Sequence, residues 1–218
     1  MFIKNLLHFV IVGLLVSTFA GCAPRAVREP VKIDMGVPAG KVEGNRFIGI
    51  RYPFTVSAPP GWNISTEYPK FMIDLGYDKE GLDESQVFLF NPATRSNVQI
   101  EFSPAARTAV FNQKIIEDLT TMATGGFTEE LKKDYGKDVK VELSPTIPYS
   151  LRGVPYAAKK SAVYSVNGRT RDQGWIYGFA EPFQIFILYM ILEGEGAHGA
   201  QDLRTILDSF QILPRETK

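Results

Sequence analysis

Cysteine and histidine are nearly missing from this chain of 218 residues, which has one cysteine, Cys22, and two histidines, His8 and His198. A single cysteine excludes a disulfide within the chain, and with it the disulfide-stapled class of small exported domains. Because His8 lies inside the N-terminal apolar run, His198 is the lone imidazole available to the rest of the chain for base or metal chemistry. Charge excess is lacking too: 24 Lys and Arg stand against 24 Asp and Glu. Nucleic-acid binding calls for a basic excess or stripe. The one candidate stripe, Lys132, Lys133, Lys137 and Lys140, is interleaved with Glu129, Glu130, Asp134 and Asp138, the pattern of a solvated helix face. No uninterrupted apolar run reaches the ~20 residues that a bilayer-spanning helix needs.

What the N-terminus does contain is an export pattern. Lys4 supplies a positive start, Leu6 to Val16 an apolar run interrupted by His8 and Gly13, and Ala20-Gly21 the small residues of a cleavage site. Cys22 follows directly. The segment resembles a bacterial lipoprotein signal, with Phe19 standing where Leu is commonest; the resemblance implies that Cys22 becomes the first mature residue and carries acyl chains. Ala23, rather than Asp, comes next, which in Gram-negative lipoproteins implies passage to the outer membrane, facing the periplasm. Residues 1–21 are therefore expected to be a removable signal and Cys22 the lipidation site. Removal takes Lys4 away and leaves 197 residues, with 23 basic and 24 acidic side chains. A chain of that length can bury about 70% of its extended surface in one core.

Residues 22–45 are mostly small, polar, Pro or Gly and are expected to form the lipidated N-terminus and a flexible tether, with an r.m.s. reach of roughly 25–29 Å. Val31 and Ile33 could add a short edge strand to it. A single α+β domain is expected over 46–214, followed by a polar tail at 215–218. Ile48, Ile50, Tyr52, Phe54 and Val56 are apolar at every second position, predicting a strand that stops at Ala58-Pro59-Pro60-Gly61. Trp62-Asn63-Ile64 reads as the next strand, Phe71–Leu75 and Gln86–Phe90 flank an acidic loop, and Val98, Ile100 and Phe102 alternate with polar neighbours. Successive strands of this kind predict an antiparallel sheet.

The period then becomes helical. Val110, Phe111, Ile115, Ile116, Leu119 and Met122 share one stripe that ends at Gly125-Gly126, and a second helix is predicted from Thr128 to Gly136. Val139, Val141 and Leu143 return to period 2. Tyr156–Val166 and Arg169–Phe179 flank Asn167-Gly168, a type I′ hairpin signature. Phe183–Leu192 has only Gln184 polar and predicts a central strand covered on both faces; Ala200–Ser209 predicts a closing helix. Strands, helices, strands and helix in that order favour α+β.

Three stretches coincide in this frame: Phe54-Thr55-Val56-Ser57-Ala58-Pro59-Pro60-Gly61-Trp62, Leu151-Arg152-Gly153-Val154-Pro155-Tyr156 and Ile206-Leu207-Asp208-Ser209-Phe210. Together they resemble the PsbP-like fold shared by photosystem II extrinsic proteins, a nuclear-import Ran-binding factor and many bacterial lipoproteins. The resemblance implies an antiparallel β-sheet sandwiched by helices and a binding or assembly role. It carries no residue's function over, since the three stretches are structural punctuation.

Catalytic and metal signatures are thin. A Ser-His-Asp system would have to use His198, but no Gly-x-Ser-x-Gly elbow is present, and the surrounding Gly194, Gly196 and Gly199 suit a solvent-facing turn. Glu193, Glu195 and His198 could converge on an ion, against the loose geometry those glycines give. Asp74, Asp78, Glu80, Asp83 and Glu84 offer calcium-type oxygens, but their spacing fits an exposed acidic loop rather than an EF-hand. No phosphate loop or dinucleotide fingerprint is found, so no cofactor is expected. Trp175, Tyr177 and Phe179 share one strand face, a core stripe that would be a contact surface if exposed. The sequence thus predicts a membrane-anchored, non-enzymatic module with a protein partner in the cell envelope. Two alternatives stand behind it: a carrier of a small apolar ligand or lipid, with Phe71, Phe88, Phe90 and Phe102 lining its pocket, and a hydrolase using His198.

Overall fold

A computed structural model describes residues 31–74, 86–107, 109–192 and 198–214. The small sheet is built by β1 (Gly40–Glu43), β2 (Arg46–Gly49) and β3 (Phe54–Ser57), closed at its far edge by the last strand, β12 (Gln211–Ile212). The large sheet takes β4 (Asn63–Ser65), β5 (Val87–Phe90), β6 (Asn97–Pro104), β7 (Val141–Leu143), β8 (Ile147–Pro148), β9 (Tyr156–Val166), β10 (Arg169–Ala180) and β11 (Phe183–Leu192). Its order is β4-β5-β6-β11-β10-β9-β7, with β8 also pairing to β9. Every strand pairing in both sheets is antiparallel. Among the described residues there are four helices: α1 (Lys70–Asp74), α2 (Gln113–Ala123), α3 (Phe127–Tyr135) and α4 (Gly199–Ser209). The architecture is α+β, as the order of periods in the sequence predicts.

Local chemistry explains the element boundaries. Asn167 (φ 52°) and Gly168 (φ 71°) make the left-handed pair that a two-residue hairpin needs, and they join β9 to β10 in register from Val166↔Arg169 to Tyr156↔Phe179. Asn112 caps α2 by accepting the Ile115 N–H at 2.9 Å. Gly136, at φ 103°, ends α3.

The inner face of the large sheet packs on the small sheet and α4. Val87 and Leu89 of β5, Val98, Ile100 and Phe102 of β6, Ile176 of β10 and Ile185, Ile187, Tyr189 and Ile191 of β11 are buried there. From the other side come Phe47, Phe54 and Val56 and, from α4 and its end, Leu203, Ile206, Leu207 and Phe210. Phe102 is the hub. Its ring lies 4.5 Å from Phe54, 5.5 Å from Tyr52, 6.1 Å from Phe183 and 6.3 Å from Phe210, so one side chain joins both sheets and the end of α4. The opposite face carries α2 and α3 over β9 and β10, and α1 against β5. The layer on the inner face is thus not helical alone; α4 shares it with four strands.

Four expectations change. The alternation from Ile48 to Val56 is two strands rather than one. At Gly49 a Cβ would lie 2.0 Å from the Tyr52 carbonyl oxygen, so only glycine fits the corner, and Pro53 has no N–H for a ladder. Ile50, within that corner, is 51% exposed. Next, the stretch read as tether contributes β1, because Gly40–Glu43 pairs with β2 through backbone groups that need no apolar pattern; Val31 and Ile33 form no strand but pack against the inner core. In α2 the buried positions are Ile116 and Thr120, while Val110 and Met122 face solvent. Val110 precedes the helix, and Met122 sits six residues, about 240°, around from Ile116. Finally, β11 is fully buried on one face only, its alternate residues being half-exposed on the other.

Replacing Phe102 with Ala is expected to cost about 3–5 kcal/mol, read as a lowered urea midpoint in equilibrium unfolding. Val110→Ala should leave the midpoint nearly unmoved.

Candidate functional site

A depression of about 430 Å³ lies at the N-terminal end of α4, between Trp62 and the turn 91–96. Its residues are held by structural bonds. The Trp62 indole Nε1 donates to Asp202 Oδ2 at 2.9 Å, joining the start of β4 to the first turn of α4. An acidic group in that turn also faces the positive end of the helix dipole. Asn91 Oδ1 accepts the N–H groups of Ala93 and Thr94 at 2.9 and 3.2 Å, and the buried Ser96 Oγ accepts the Leu192 N–H at 3.0 Å.

His198 precedes α4 and is exposed, with its carbonyl accepting the Asp202 N–H at 2.8 Å. Its ring reaches neither Ser96 nor Asp202, so the recess brings the three residue types together without a nucleophile–base–acid relay. Of the ion candidates, Glu193 and Glu195 lie outside the described residues, as do Asp78, Glu80, Asp83 and Glu84; Asp74 ends α1 and is exposed. Among the described residues, no group of three His, Cys, Asp or Glu side chains could hold a metal ion. Cys22 and the signal segment also lie outside them.

The aromatic stripe of β10 is core. Trp175 packs edge-on to Phe127 at 4.8 Å, and Phe179 stacks on Phe111 at 4.1 Å, so the helical layer covers both. The four phenylalanines expected to line one apolar pocket do not meet in one. Phe102 belongs to the inner core, whereas Phe88, Phe71 and Phe90 cluster with Tyr68 and Met72 on the helical face. The reason is parity: Phe88 and Phe102 fall on opposite sides of the sheet, because β5 and β6 pair with Val87 opposite Ile100 and Phe88 opposite Gln99.

On the helical face, between α1, over β5, and the pair α2 and α3, over β9 and β10, the central strands β6 and β11 present half-buried residues, of which Phe186 and Leu188 pack against the cluster around Leu131 and Trp175. Phe186, Leu188, Met190 and Leu192 run along β11 beside Gln99 and Glu101 of β6. One row crosses the sheet from Gln86 to Glu101 to Phe186 to Tyr177: the Gln86 amide donates to Glu101 Oε2 at 3.3 Å, and the rings of Phe186 and Tyr177 lie 4.7 Å apart. Burial, with a smaller contribution from the Glu101 charge, pushes the Tyr177 phenol up to about 12.

Two outcomes follow from this geometry. Asp202→Ala leaves the buried indole N–H without its acceptor and should lower stability by about 1–3 kcal/mol, whereas Asp202→Asn should retain most of it; chemical denaturation separates the two. Because the folded Tyr177 pKa is raised, its contribution is complete below about pH 10 and is lost as pH rises toward about 12. The melting temperature should therefore fall less steeply across that window in Tyr177→Phe than in the unsubstituted protein.

No protein-family profile and no curated protein matches the chain in sequence. Solved structures do match in shape. The chain is similar to cyanobacterial PsbP (CyanoP) from Synechocystis sp. PCC 6803 at a TM-score of 0.50 and 14% identity, over 82% of this chain and 95% of that one. LpqN, involved in cell envelope biogenesis of Mycobacterium tuberculosis, aligns at 0.45 and 14% over 74% and 83%. The Saccharomyces cerevisiae Ran-binding protein Mog1p aligns at 0.42 and 12% over 74% and 90%. The agreement with CyanoP over nearly its whole length establishes the architecture: this chain has a PsbP-like fold.

Proposed function

We propose that the protein is a lipid-anchored component of the bacterial cell envelope whose α+β domain works by binding a protein partner. The observation that carries the anchor is the placement of the chain's one cysteine directly behind Phe19-Ala20-Gly21, at the end of a short apolar run. Among the described residues no helix is long and apolar enough to cross a membrane, and acylation of Cys22 supplies the attachment instead. Ala23 behind the cysteine supports delivery to the outer membrane, with the domain facing the periplasm.

Binding is the activity that the side chains support. In the recess at α4 the carboxylate of Asp202 and the hydroxyl of Ser96 are engaged in fold-holding bonds, and the sequence resembles a family whose members usually bind or assemble. The carrier reading loses the pocket on which it stood, since its four phenylalanines divide between two clusters.

The anchor is tested by Cys22→Ala. The unsubstituted protein should sediment with membranes and enter detergent, and the variant should appear in the soluble periplasmic fraction. Retention of Cys22→Ala in the membrane would remove the anchor from the account.

A further inference from the structure

The chain enters the domain as a strap. Val31 and Ile33 pack against the inner core, and Arg51 clamps the residues that follow, its guanidinium donating from Nε to the Val37 carbonyl at 2.9 Å and from Nη2 to the Met35 carbonyl at 3.2 Å. The Ala39 carbonyl accepts the N–H groups of Ile50 and Arg51 at 3.0 and 3.2 Å. These bonds bring residues 35–39 against the corner at 49–53, at one end of the small sheet. Two large apolar side chains stand exposed there, Met35 at 52% and Ile50 at 51%. Lys32, on the same strap, is exposed as well.

Reach decides what can cover them. From Cys22 to Val31 the chain has nine Cα steps, which span at most about 32 Å when fully extended. A folded domain of about 180 residues has a radius of gyration of about 16 Å and hence a diameter of about 40 Å. A domain anchored at Cys22 therefore cannot turn its strap end to the side farthest from the bilayer. Because the packed body begins at Val31 and not at residue 46, the link holds it closer to the lipid than the sequence alone predicts.

We propose that the strap end of the small sheet rests on the phospholipid surface in which Cys22 is anchored, with Met35 and Ile50 reaching below the headgroups and Lys32 lying at their phosphates. Apolar side chains flanked by a basic one suit the boundary between headgroups and acyl chains. Two such side chains are too few to hold a free protein to a membrane, but a short link keeps them at an effective concentration on the order of millimolar, where a weak contact is occupied. The contact gives the anchored domain one orientation in place of free rotation about its link.

The inference rests on the anchor reading and fails separately from it, because the test supplies the anchor chemically. The mature chain is coupled through its one thiol, Cys22, to a maleimide lipid in phosphatidylcholine–phosphatidylglycerol vesicles, with and without brominated acyl chains. The probes are Met35→Trp, Ile50→Trp and, as a control, Met122→Trp, at an exposed position of α2 beyond the opposite face of the large sheet. After subtraction of the buried Trp62 and Trp175, emission from Met35→Trp and Ile50→Trp should fall about twofold with the brominated lipid, and that from Met122→Trp should be unchanged. Adding Met35→Asp to Ile50→Trp should abolish the quenching while the urea midpoint stays near the unsubstituted value. Emission unaffected by bromine at positions 35 and 50, or quenching at 122 as strong as at 50, would overturn the proposal. So would a blue shift at position 50 that follows the density of protein on the vesicle and not the bromine, which would assign the patch to a second copy of the chain.

Discussion

The fold depends on a single aromatic ring having partners on every side. Phe102 projects from the middle of β6 onto the inner face of the large sheet, where it stacks on Phe54 of the small sheet and meets Phe210 at the end of α4. Those three segments are separated by long stretches of chain, so the contacts fix the tertiary arrangement rather than any local element. Offset-stacked aromatic pairs add to the area they bury, and Phe54, Phe102 and Phe210 are all essentially inaccessible to water.

On the opposite face the helices are short and tied to particular strands: Ile116 of α2 packs with Phe111 just before it onto Ala158 and Phe179 of β9 and β10, Leu131 of α3 packs with Trp175 and with Phe186 and Leu188 of β11, and Met72 of α1 packs onto Phe88 of β5. The result is one aromatic core between the two sheets and three smaller clusters under the helices of the opposite face. In the recess at α4 the acid and hydroxyl are spent on holding β4 and the 91–96 turn to neighbouring elements.

Features set by local chemistry were legible in the sequence. Asn167-Gly168 specified its hairpin, the alternation of Val98, Ile100 and Phe102 specified which side of β6 is buried, and Leu203, Ile206 and Leu207 specified the seated face of α4. What escaped had non-local causes. Apolar alternation continues unbroken through the corner at Gly49–Pro53, so periodicity could not show that the strand ends. β1 pairs through its backbone and leaves no apolar signature. A run such as Phe183–Leu192, apolar at almost every position, reads the same whether one face is covered or two. The Glu101–Phe186 pairing and the Trp62–Asp202 bond each join residues far apart in the chain, and only the tertiary fold places them together.

In the proposed function one sulfur atom, that of Cys22, joins this body to a membrane, and the chemistry of that atom can be weighed directly. The decisive measurement is the mass of the N-terminal peptide from protein isolated in its native envelope. A peptide beginning at Cys22 and carrying acyl chains is the predicted result. An unmodified cysteine, or a mature chain that begins elsewhere, would contradict it.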